Sequence, residues 1–285
     1  LVRKEDNYEV GFSRGVEKFK GKPDFSKGSY YANPQYDEPL RDPQNPQKIL
    51  VPGNVWPRED LPEYEQAFKN LGRLIVDVGI KLTGVVDRYV EKNMDGYEKG
   101  KLRRIISESK ICKARGLYYY PMTEKMESED NWCGWHNDHG TLTGLCSAMY
   151  HDSNGKQVTV KDENTGLFVQ TRDKKVVRVA IPSDQLAFQI GESAQIHTGG
   201  LLSATPHSVR IGEKLVGTGI SRSTMAVFMQ PNFNEQMVPP NEKITQEHLE
   251  NTTTLIPTLK ERFTIGDTFL KFHNRTCLAY LAGNQ

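Results

Sequence analysis

The chain has 285 residues, a length that suits one large domain built around a single core. Its 37 Lys and Arg residues almost balance its 36 Asp and Glu residues, so no overall charge would attract nucleic acid or an anionic membrane surface. The four cysteines lie far apart and form no Cys-x-x-Cys pair, which favours neither a disulfide framework nor a structural zinc site.

The sequence contains no run of 18 apolar residues and no recognisable secretion signal. These features predict a cytoplasmic protein, with the nucleus as the alternative compartment, and no membrane partner. Because the first residue is Leu1 rather than a methionine, we expect a further N-terminal segment.

Residues 1–60 are rich in Gly, Pro, Asn, Asp and Tyr, the composition of turns. This composition predicts an irregular N-terminal arm. Four aromatic residues, Tyr30, Tyr31, Tyr36 and Trp56, argue against disorder, because a disordered segment seldom carries so many groups that gain by burial. We expect the arm to be ordered and to cover a surface or pocket.

Residues 61–110 are predicted to form scaffold helices. The segment Asp60-Leu-Pro-Glu63 has the acidic N-cap and early proline of a helix start. Apolar residues then recur at alternating steps of four and three over about 28 residues, as expected for one face of a helix. These positions are Tyr64, Phe68, Leu71, Ile75, Val78, Leu82, Val85 and Tyr89. Three glycines on the same segment favour a helix packed on a sheet over a coiled coil.

Residues 111–230 show short apolar segments separated by turn residues, which predicts a mainly β sandwich or barrel. The expected strands are 113–120, 142–150, 166–170, 176–181, 185–190, 207–211 and 223–228. Residues 231–285 are predicted to be helical at 245–250, 255–263 and 267–281, with Asp267 as an N-cap. The four segments are expected to form one globular unit.

A candidate metal site begins at His136 and Asp138, which precede an apolar strand. Side chains alternate along an extended backbone, so these two residues point to the same side. A histidine from a distant strand would complete a two-histidine, one-carboxylate set of the kind that holds iron(II), and His207 is the candidate. Alone, a His-x-Asp pair is weak evidence, because such pairs occur by chance in surface turns.

A candidate anion site follows in Arg222 and Thr224, at the head of an apolar strand. An arginine binds a carboxylate through two parallel hydrogen bonds, and a nearby hydroxyl can donate a third. The alternative for Arg222 is a surface salt bridge. Its position 15 residues after His207 favours the binding of a dicarboxylate co-substrate.

The order of these motifs resembles the isopenicillin N synthase-like branch of the 2-oxoglutarate- and Fe(II)-dependent dioxygenases, over the region from about Trp56 to Phe228. The matching segments are Tyr120-Pro121, His136 to Thr143, Gly166-Leu-Phe-Val169, Gly191-Glu192 with Thr198-Gly-Gly200, His207, and Arg222-x-Thr224. The resemblance implies a double-stranded β-helix barrel of the jelly-roll or cupin-like kind, mainly β with flanking helices.

The resemblance also implies the cofactors and their ligands. Fe(II) would be bound by His136, Asp138 and His207. The co-substrate 2-oxoglutarate would be bound at its far carboxylate by Arg222 and Thr224, with Tyr120 as a nearby hydrogen-bond donor and ascorbate as a candidate reductant. The implied reaction oxidises a substrate, by hydroxylation or otherwise, with release of succinate and carbon dioxide.

This sequence departs from the family pattern at three positions. Thr224 replaces the usual serine, Tyr118 stands where many members have an asparagine, and Ser208 replaces a common arginine. The last two changes argue against assigning to this chain the substrates of the plant hormone and flavonoid enzymes of the family. A small-molecule substrate is expected first and a peptide second, and a nucleic-acid substrate is not favoured by the near-zero net charge.

Three alternatives remain open for the function. The same three ligands could bind catalytic zinc in a hydrolase. A member of the fold that binds 2-oxoglutarate or a metabolite with little turnover is the second, and an oxidase that uses another reductant is the third. His139 and His197 are predicted to be structural rather than ligands, because His139 faces away from His136 on an extended backbone.

Overall fold

The structure is a computed structural model that describes residues 1–6, 9–16, 18–19, 22–124, 132–250 and 253–283. Its α-helices are α1 (Tyr64–Asn93), α2 (Lys101–Glu108), α3 (Glu192–His197), α4 (Leu259–Arg262) and α5 (Phe269–Gly283). Short 3-10 helices lie at Lys4–Asp6, Glu213–Leu215 and Gln246–Leu249. None of these helices combines the length and the apolar character that crossing a membrane requires.

The strands before the long helix are β1 (Gly11–Arg14), β2 (Lys18–Phe19), β3 (Lys22–Pro23), β4 (Lys27–Ala32), β5 (Leu40–Asp42) and β6 (Asn45–Val51). The strands of the central region are β7 (Lys113–Tyr119), β8 (Cys133–His136), β9 (Leu142–Cys146), β10 (Met149–His151), β11 (Gln157–Val158), β12 (Gly166–Gln170), β13 (Val176–Val179), β14 (Leu186–Ile190), β15 (His207–Arg210) and β16 (Ser221–Met229).

The central strands form two antiparallel sheets. In the larger sheet β16 pairs with β7 on one side and with β9 and β10 on the other, and β14 extends the sheet beyond β9. The smaller sheet has the order β13-β12-β15-β8. From β7 to β16 the chain passes repeatedly between the two sheets, which is the winding of a double-stranded β-helix and confirms the predicted fold class.

The first 60 residues are more regular than expected. Strand β4 pairs with β7 along its whole length, and β1 pairs with β4, so both extend the larger sheet. A predicted irregular arm would leave the backbone groups along the outer edge of β7 without partners, and pairing with β4 satisfies them. Tyr30 on β4 packs against Trp56 and Phe68 at ring-centroid distances of 5.9 and 5.8 Å. The aromatic residues of this region therefore help to join the sheet to α1.

Helix α1 packs on the larger sheet, as its glycines predicted. It begins at Tyr64 after Glu63, rather than at the predicted cap Asp60. The predicted face is correct near the start of the helix and wrong near its end, where Val85 and Tyr89 are each 54% exposed. A seven-residue repeat drifts around a helix of 3.6 residues per turn, so its last positions rotate away from the sheet.

The buried face of α1 also uses glycine. A Cβ atom at Gly72 would overlap the ring of Pro34, so the helix approaches its neighbours closely only because this side chain is absent. The residues that α1 buries are Phe68, Lys69, Gly72, Ile75, Val76, Gly79, Thr83, Asp87 and Val90. Thus several buried positions carry no large apolar side chain, which an apolar repeat cannot reveal.

The C-terminal helices pack behind the segment that carries His136 and Asp138. The expected helices correspond to the 3-10 helix at Gln246–Leu249, to α4 and to α5. Helix α3, which was not predicted, joins them in a cluster of buried residues that includes Ile196 and Phe272. The backbone amide of Asn137, between the two predicted ligands, donates a hydrogen bond to the Tyr280 hydroxyl of α5 at 3.0 Å. This bond ties the last helix to the candidate site.

Substitution of Gly72 by alanine should destabilise the protein by about 1 to 3 kcal/mol, because the added methyl group overlaps Pro34. Gly84→Ala is the matched control on the same helix, since its Cβ would lie 3.4 Å from Arg103 Cδ, an ordinary contact. The control should be neutral or stabilise by up to about 1 kcal/mol. Chemical denaturation of both variants measures the difference, and equal effects would contradict the close approach.

Candidate metal centre

Two neighbouring strands of the smaller sheet place the two histidines of the candidate centre side by side. His136 ends β8 and His207 begins β15, and the two residues are direct partners in the antiparallel pairing. Their ring centroids lie 4.1 Å apart. Asp138 follows His136 by two residues, and its Oδ2 lies 3.9 Å from His207 Nε2.

The three side chains can offer a metal ion one ligand atom each. Within the described residues, His136, Asp138 and His207 form the group of His, Cys, Asp and Glu whose ligand atoms all lie within 4.8 Å of one another. Asp138 and His207 are buried, and Asp138 Oδ2 has no hydrogen-bond partner among the described residues. A buried carboxylate oxygen without a partner is costly unless a cation binds it, so the group fits a metal ion.

Backbone carbonyl groups orient both imidazole rings. Nδ1 of His136 lies 2.8 Å from the Gly134 carbonyl oxygen, and Nδ1 of His207 lies 3.0 Å from the Thr205 carbonyl oxygen. A carbonyl oxygen can only accept, so each Nδ1 carries a proton, and in the neutral ring Nε2 is the nitrogen with the lone pair. This tautomer is the one that a metal at Nε2 requires.

The pKa values of the three ligands shift in different directions. Burial lowers the pKa of His136, but the neighbouring Cys133 and Asp138 raise it more, to about 9, so a metal ion that binds this ring at neutral pH displaces a proton. Burial, with a smaller contribution from the neighbouring His136, lowers the pKa of His207 to about 4, so its ring is neutral. Burial raises the pKa of Asp138, but positive charge on the neighbouring His207 and His136 rings, when they are protonated, lowers it more, so the net direction is downward. A neutral imidazole and an ionised carboxylate are the forms that bind a cation.

A buried ion pair supports the segment that carries Asp138. The Glu192 amide donates to the Asp138 carbonyl oxygen at 2.8 Å, and Asn137 Nδ2 donates to Glu192 Oε1 at 3.2 Å. Arg262 donates to the two carboxylate oxygens of Glu192 at 2.6 and 2.7 Å, and neither side chain is exposed. The adjacent Gly191 is required, because a Cβ atom there would overlap the Gly140 carbonyl oxygen.

His139 and His197 lie outside the group of three ligands. His139 Nε2 lies 2.8 Å from His273 Nδ1 on α5, and burial lowers the pKa of His139 to about 3. His197 is buried in α3, and its Nε2 donates to the Gln236 carbonyl oxygen at 3.2 Å. Both rings therefore link the barrel to the C-terminal region.

The ligand group opens into a cavity of about 180 Å³ between the two sheets. Arg222 and Thr224, on β16, both line this cavity. Arg222 is only 6% exposed, and its Nε and Nη1 have no hydrogen-bond partner among the described residues. Thr224 Oγ1 donates to the Cys146 carbonyl oxygen at 3.3 Å. A buried guanidinium with free donors that faces a cavity is suited to bind an anion there.

The structure places Tyr120 away from the cavity. Tyr120 does not line the cavity; its ring contacts Tyr118 and lies under the Arg14 guanidinium at 3.7 Å. Tyr119 lines the cavity instead, pairs directly with Arg222 across β7 and β16, and has its ring 5.0 Å from the Arg222 guanidinium carbon. Neighbouring side chains on a strand point to opposite faces, so only one of the two tyrosines can face inward.

Most of the residues that line the cavity were not predicted from the sequence, Tyr119 and Gln189 among them. Tyr119 could have been chosen by pairing β7 with β16 and asking which tyrosine shares a face with Arg222. Gln189 lines the cavity from β14 and is 8% exposed, within a strand that is otherwise mostly apolar. A single amide within Leu186–Ile190 is the signal that could have marked it.

The chain is similar in fold to several solved structures. A protein assigned to the 2OG-Fe(II) oxygenase family from Caulobacter crescentus has a TM-score of 0.64 at 18% identity, with 97% of this chain and 79% of that chain covered. A full-length Neurospora crassa protein in complex with alpha-KG has a TM-score of 0.61 at 18% identity, covering 97% and 77%. JOX2 in complex with 2OG, Fe and JA has a TM-score of 0.57 at 17% identity, covering 98% and 68%.

These likenesses show that the chain has the double-stranded β-helix fold of 2-oxoglutarate oxygenases. Neither a family model nor a curated protein matches the sequence. The isopenicillin N synthase-like branch therefore stays a prediction.

Replacing Glu192 by glutamine should destabilise the protein by about 3 to 5 kcal/mol, because it leaves the buried Arg262 charge without its partner. Arg58→Met is the control, since Arg58 pairs with Glu65 on the surface with its side chain 70% exposed, and it should leave the stability nearly unchanged. Chemical denaturation measures both. Equal losses would show that the buried pair does not support the metal segment.

Proposed function

We propose that this chain is a non-haem Fe(II), 2-oxoglutarate-dependent oxygenase that hydroxylates or otherwise oxidises a small molecule. The observation that carries this proposal is that the buried Arg222, with guanidinium N–H groups that lack partners among the described residues, lines the same cavity as the ligand group. A metal site alone is compatible with many reactions. A cationic group in the same cavity adds a means to bind an organic acid beside the metal.

The ligand set fits Fe(II). His136, Asp138 and His207 would supply two imidazole nitrogens and one carboxylate oxygen, the ligands of non-haem iron oxygenases, which leave other coordination positions open. When bound together, Fe(II) and 2-oxoglutarate would supply the oxidising power, with molecular oxygen consumed and 2-oxoglutarate converted to succinate and carbon dioxide.

The residues of the chain would position and enclose these groups. The Arg222 guanidinium would bind the far carboxylate of 2-oxoglutarate, and the Tyr119 hydroxyl lies on the same face of the sheet to assist it. Apolar side chains, among them Leu117, Leu145 and Phe228, line part of the same cavity. Apolar walls exclude water, which strengthens every electrostatic contact inside.

A small-molecule substrate agrees with the size of the cavity, about 180 Å³, which also has to hold the co-substrate. Among the structures with this fold, the Neurospora crassa protein has been solved with alpha-KG and thymine, and JOX2 with 2OG, Fe and JA. A zinc hydrolase with the same ligands would have no need for a buried arginine in the cavity. Arg222 thus favours the oxygenase over that alternative.

Anaerobic addition of Fe(II) and 2-oxoglutarate together should produce a weak visible absorbance band that neither produces alone, and exposure to air should then yield succinate. Asp138→Ala should abolish both signals, because it removes one of the three metal ligands. Absorbance spectroscopy and succinate determination are the measurements. A wild-type protein that shows no band but hydrolyses esters or amides with zinc would contradict the proposal.

Arg222→Met should weaken 2-oxoglutarate binding by roughly 10- to 100-fold, the value of a lost charge-assisted hydrogen-bond pair, with Fe(II) affinity nearly unchanged. Arg210→Met is the matched control, because Arg210 lies over Trp135 and Phe168 and does not line the cavity. Titration of each variant with 2-oxoglutarate measures the dissociation constants. Similar losses in both variants would remove Arg222 from the co-substrate site.

A further inference from the structure

Gln189 lies at the metal end of the cavity. It faces inward from β14 and pairs with Thr143 on β9, the strand that follows the ligand segment. Three residues later, the Glu192 amide binds the carbonyl oxygen of Asp138. These contacts tie the end of β14 directly to the metal segment. Arg222 is far from this position, near the start of β16, whereas Phe228 near the end of β16 pairs with Thr143.

Both polar atoms of the Gln189 side chain are buried and have no hydrogen-bond partner among the described residues. Buried amides are nearly always satisfied, so such a group calls for an explanation. Gln195 provides the contrast: its Nε2 donates to the Leu249 carbonyl oxygen at 2.8 Å, and its Oε1 accepts from the Ala204 amide at 2.6 Å. The fold thus satisfies a second buried glutamine completely, outside the cavity, while Gln189 keeps a donor and an acceptor for a ligand.

We infer that Gln189 binds the substrate that is oxidised, and that this substrate carries an amide-type group with a C=O beside an N–H. This inference rests on the proposed function and identifies its substrate class. The carboxamide presents an acceptor, Oε1, next to a donor, Nε2. An amide, lactam or imide presents the complementary pair and satisfies both atoms at once.

The chemistry of the co-substrate separates it from this role. At neutral pH, 2-oxoglutarate is a dianion that has only acceptor atoms, so it could bind Gln189 Nε2 but would leave Oε1 unsatisfied. A buried acceptor without a donor is costly. Two groups at different ends of the cavity therefore recognise two different ligands: the Arg222 guanidinium an anion, and the Gln189 carboxamide a neutral amide.

The test compares two small rings of nearly equal shape, δ-valerolactam, which has both C=O and N–H, and δ-valerolactone, which lacks the N–H. Binding to the purified protein is followed by ligand-observed NMR, with and without zinc(II) and 2-oxoglutarate. The wild-type protein should bind the lactam about tenfold more tightly than the lactone or better, because the lactone leaves Oε1 unpaired. Gln189→Met, of similar shape, should reduce this ratio to about one, with a larger loss of affinity for the lactam than for the lactone.

The Tm of Gln189→Met provides a second readout. A purely structural role of Gln189 would make the substitution lower Tm, whereas a ligand-binding role predicts that Tm is kept or raised. Because the Gln189 amide has no partner among the described residues, Gln189→Met should keep or raise Tm. Gln195→Met is the matched control: it removes two buried hydrogen bonds and should lower Tm, while the preference for the lactam persists. A fall in Tm for Gln189→Met equal to that of the control would overturn the inference.

Two further results decide between this inference and the proposed function. Gln189→Met should bind Fe(II) and 2-oxoglutarate as the wild-type protein does, and a selective loss of 2-oxoglutarate affinity would assign Gln189 to the co-substrate and overturn the inference. Failure of the wild-type protein to bind Fe(II) with 2-oxoglutarate would overturn the proposed function instead. If the proposed function fails, the ratio of lactam to lactone affinity can still be measured in the protein without metal. An unchanged ratio in Gln189→Met would then refute the role of Gln189 in binding the amide.

Discussion

The antiparallel pairing of β8 with β15 is the constraint on which the candidate centre depends. It makes His136 and His207 direct neighbours although they are far apart in the sequence, and backbone carbonyl groups of the same two segments fix both rings. Asp138, two residues beyond the end of β8, reaches the same point, with its Oδ2 3.9 Å from His207 Nε2. The ligands are thus placed by backbone hydrogen bonds, which are less adaptable than side-chain packing.

Support for this geometry comes from the far side of the ligand segment. The ion pair of Glu192 with Arg262 is completely buried, so its energetic value is small or negative compared with an apolar pair, but its hydrogen bonds specify one arrangement. Through the Glu192 backbone and Asn137, that arrangement fixes the segment of Asp138. The C-terminal helices thereby have a part in the site although none of their described residues lines the cavity.

The choice of His207 as the third ligand rested on the order of motifs along the chain, whereas local patterns predicted much of the barrel, because strand alternation and turn residues act over a few positions. His136 and Asp138 share a face for that reason. The choice between Tyr119 and Tyr120 depends on how β7 pairs with β16, two strands that are distant in the sequence. The number of residues between each tyrosine and Arg222 does not reveal this pairing. The ion pair behind the ligands joins residues 70 positions apart, and it too depends on the complete fold. The outer part of the larger sheet was not predicted because turn-rich composition hid two strands that a neighbouring edge stabilises.

The charges of the cavity explain why a neutral amide suits its metal end. Asp138 and Arg222 have opposite charges, as do divalent iron and the 2-oxoglutarate dianion, and two further arginines, Arg115 and Arg178, also line the cavity. A lysine or arginine at position 189 would repel the metal, and a glutamate would compete with Asp138 as a ligand. A carboxamide adds hydrogen bonds without adding charge, so it can select a substrate without repelling the metal or competing with Asp138. Without substrate, the two polar atoms of Gln189 are unsatisfied, which lowers the stability of the protein. Functional sites are where such departures from the most stable arrangement commonly occur.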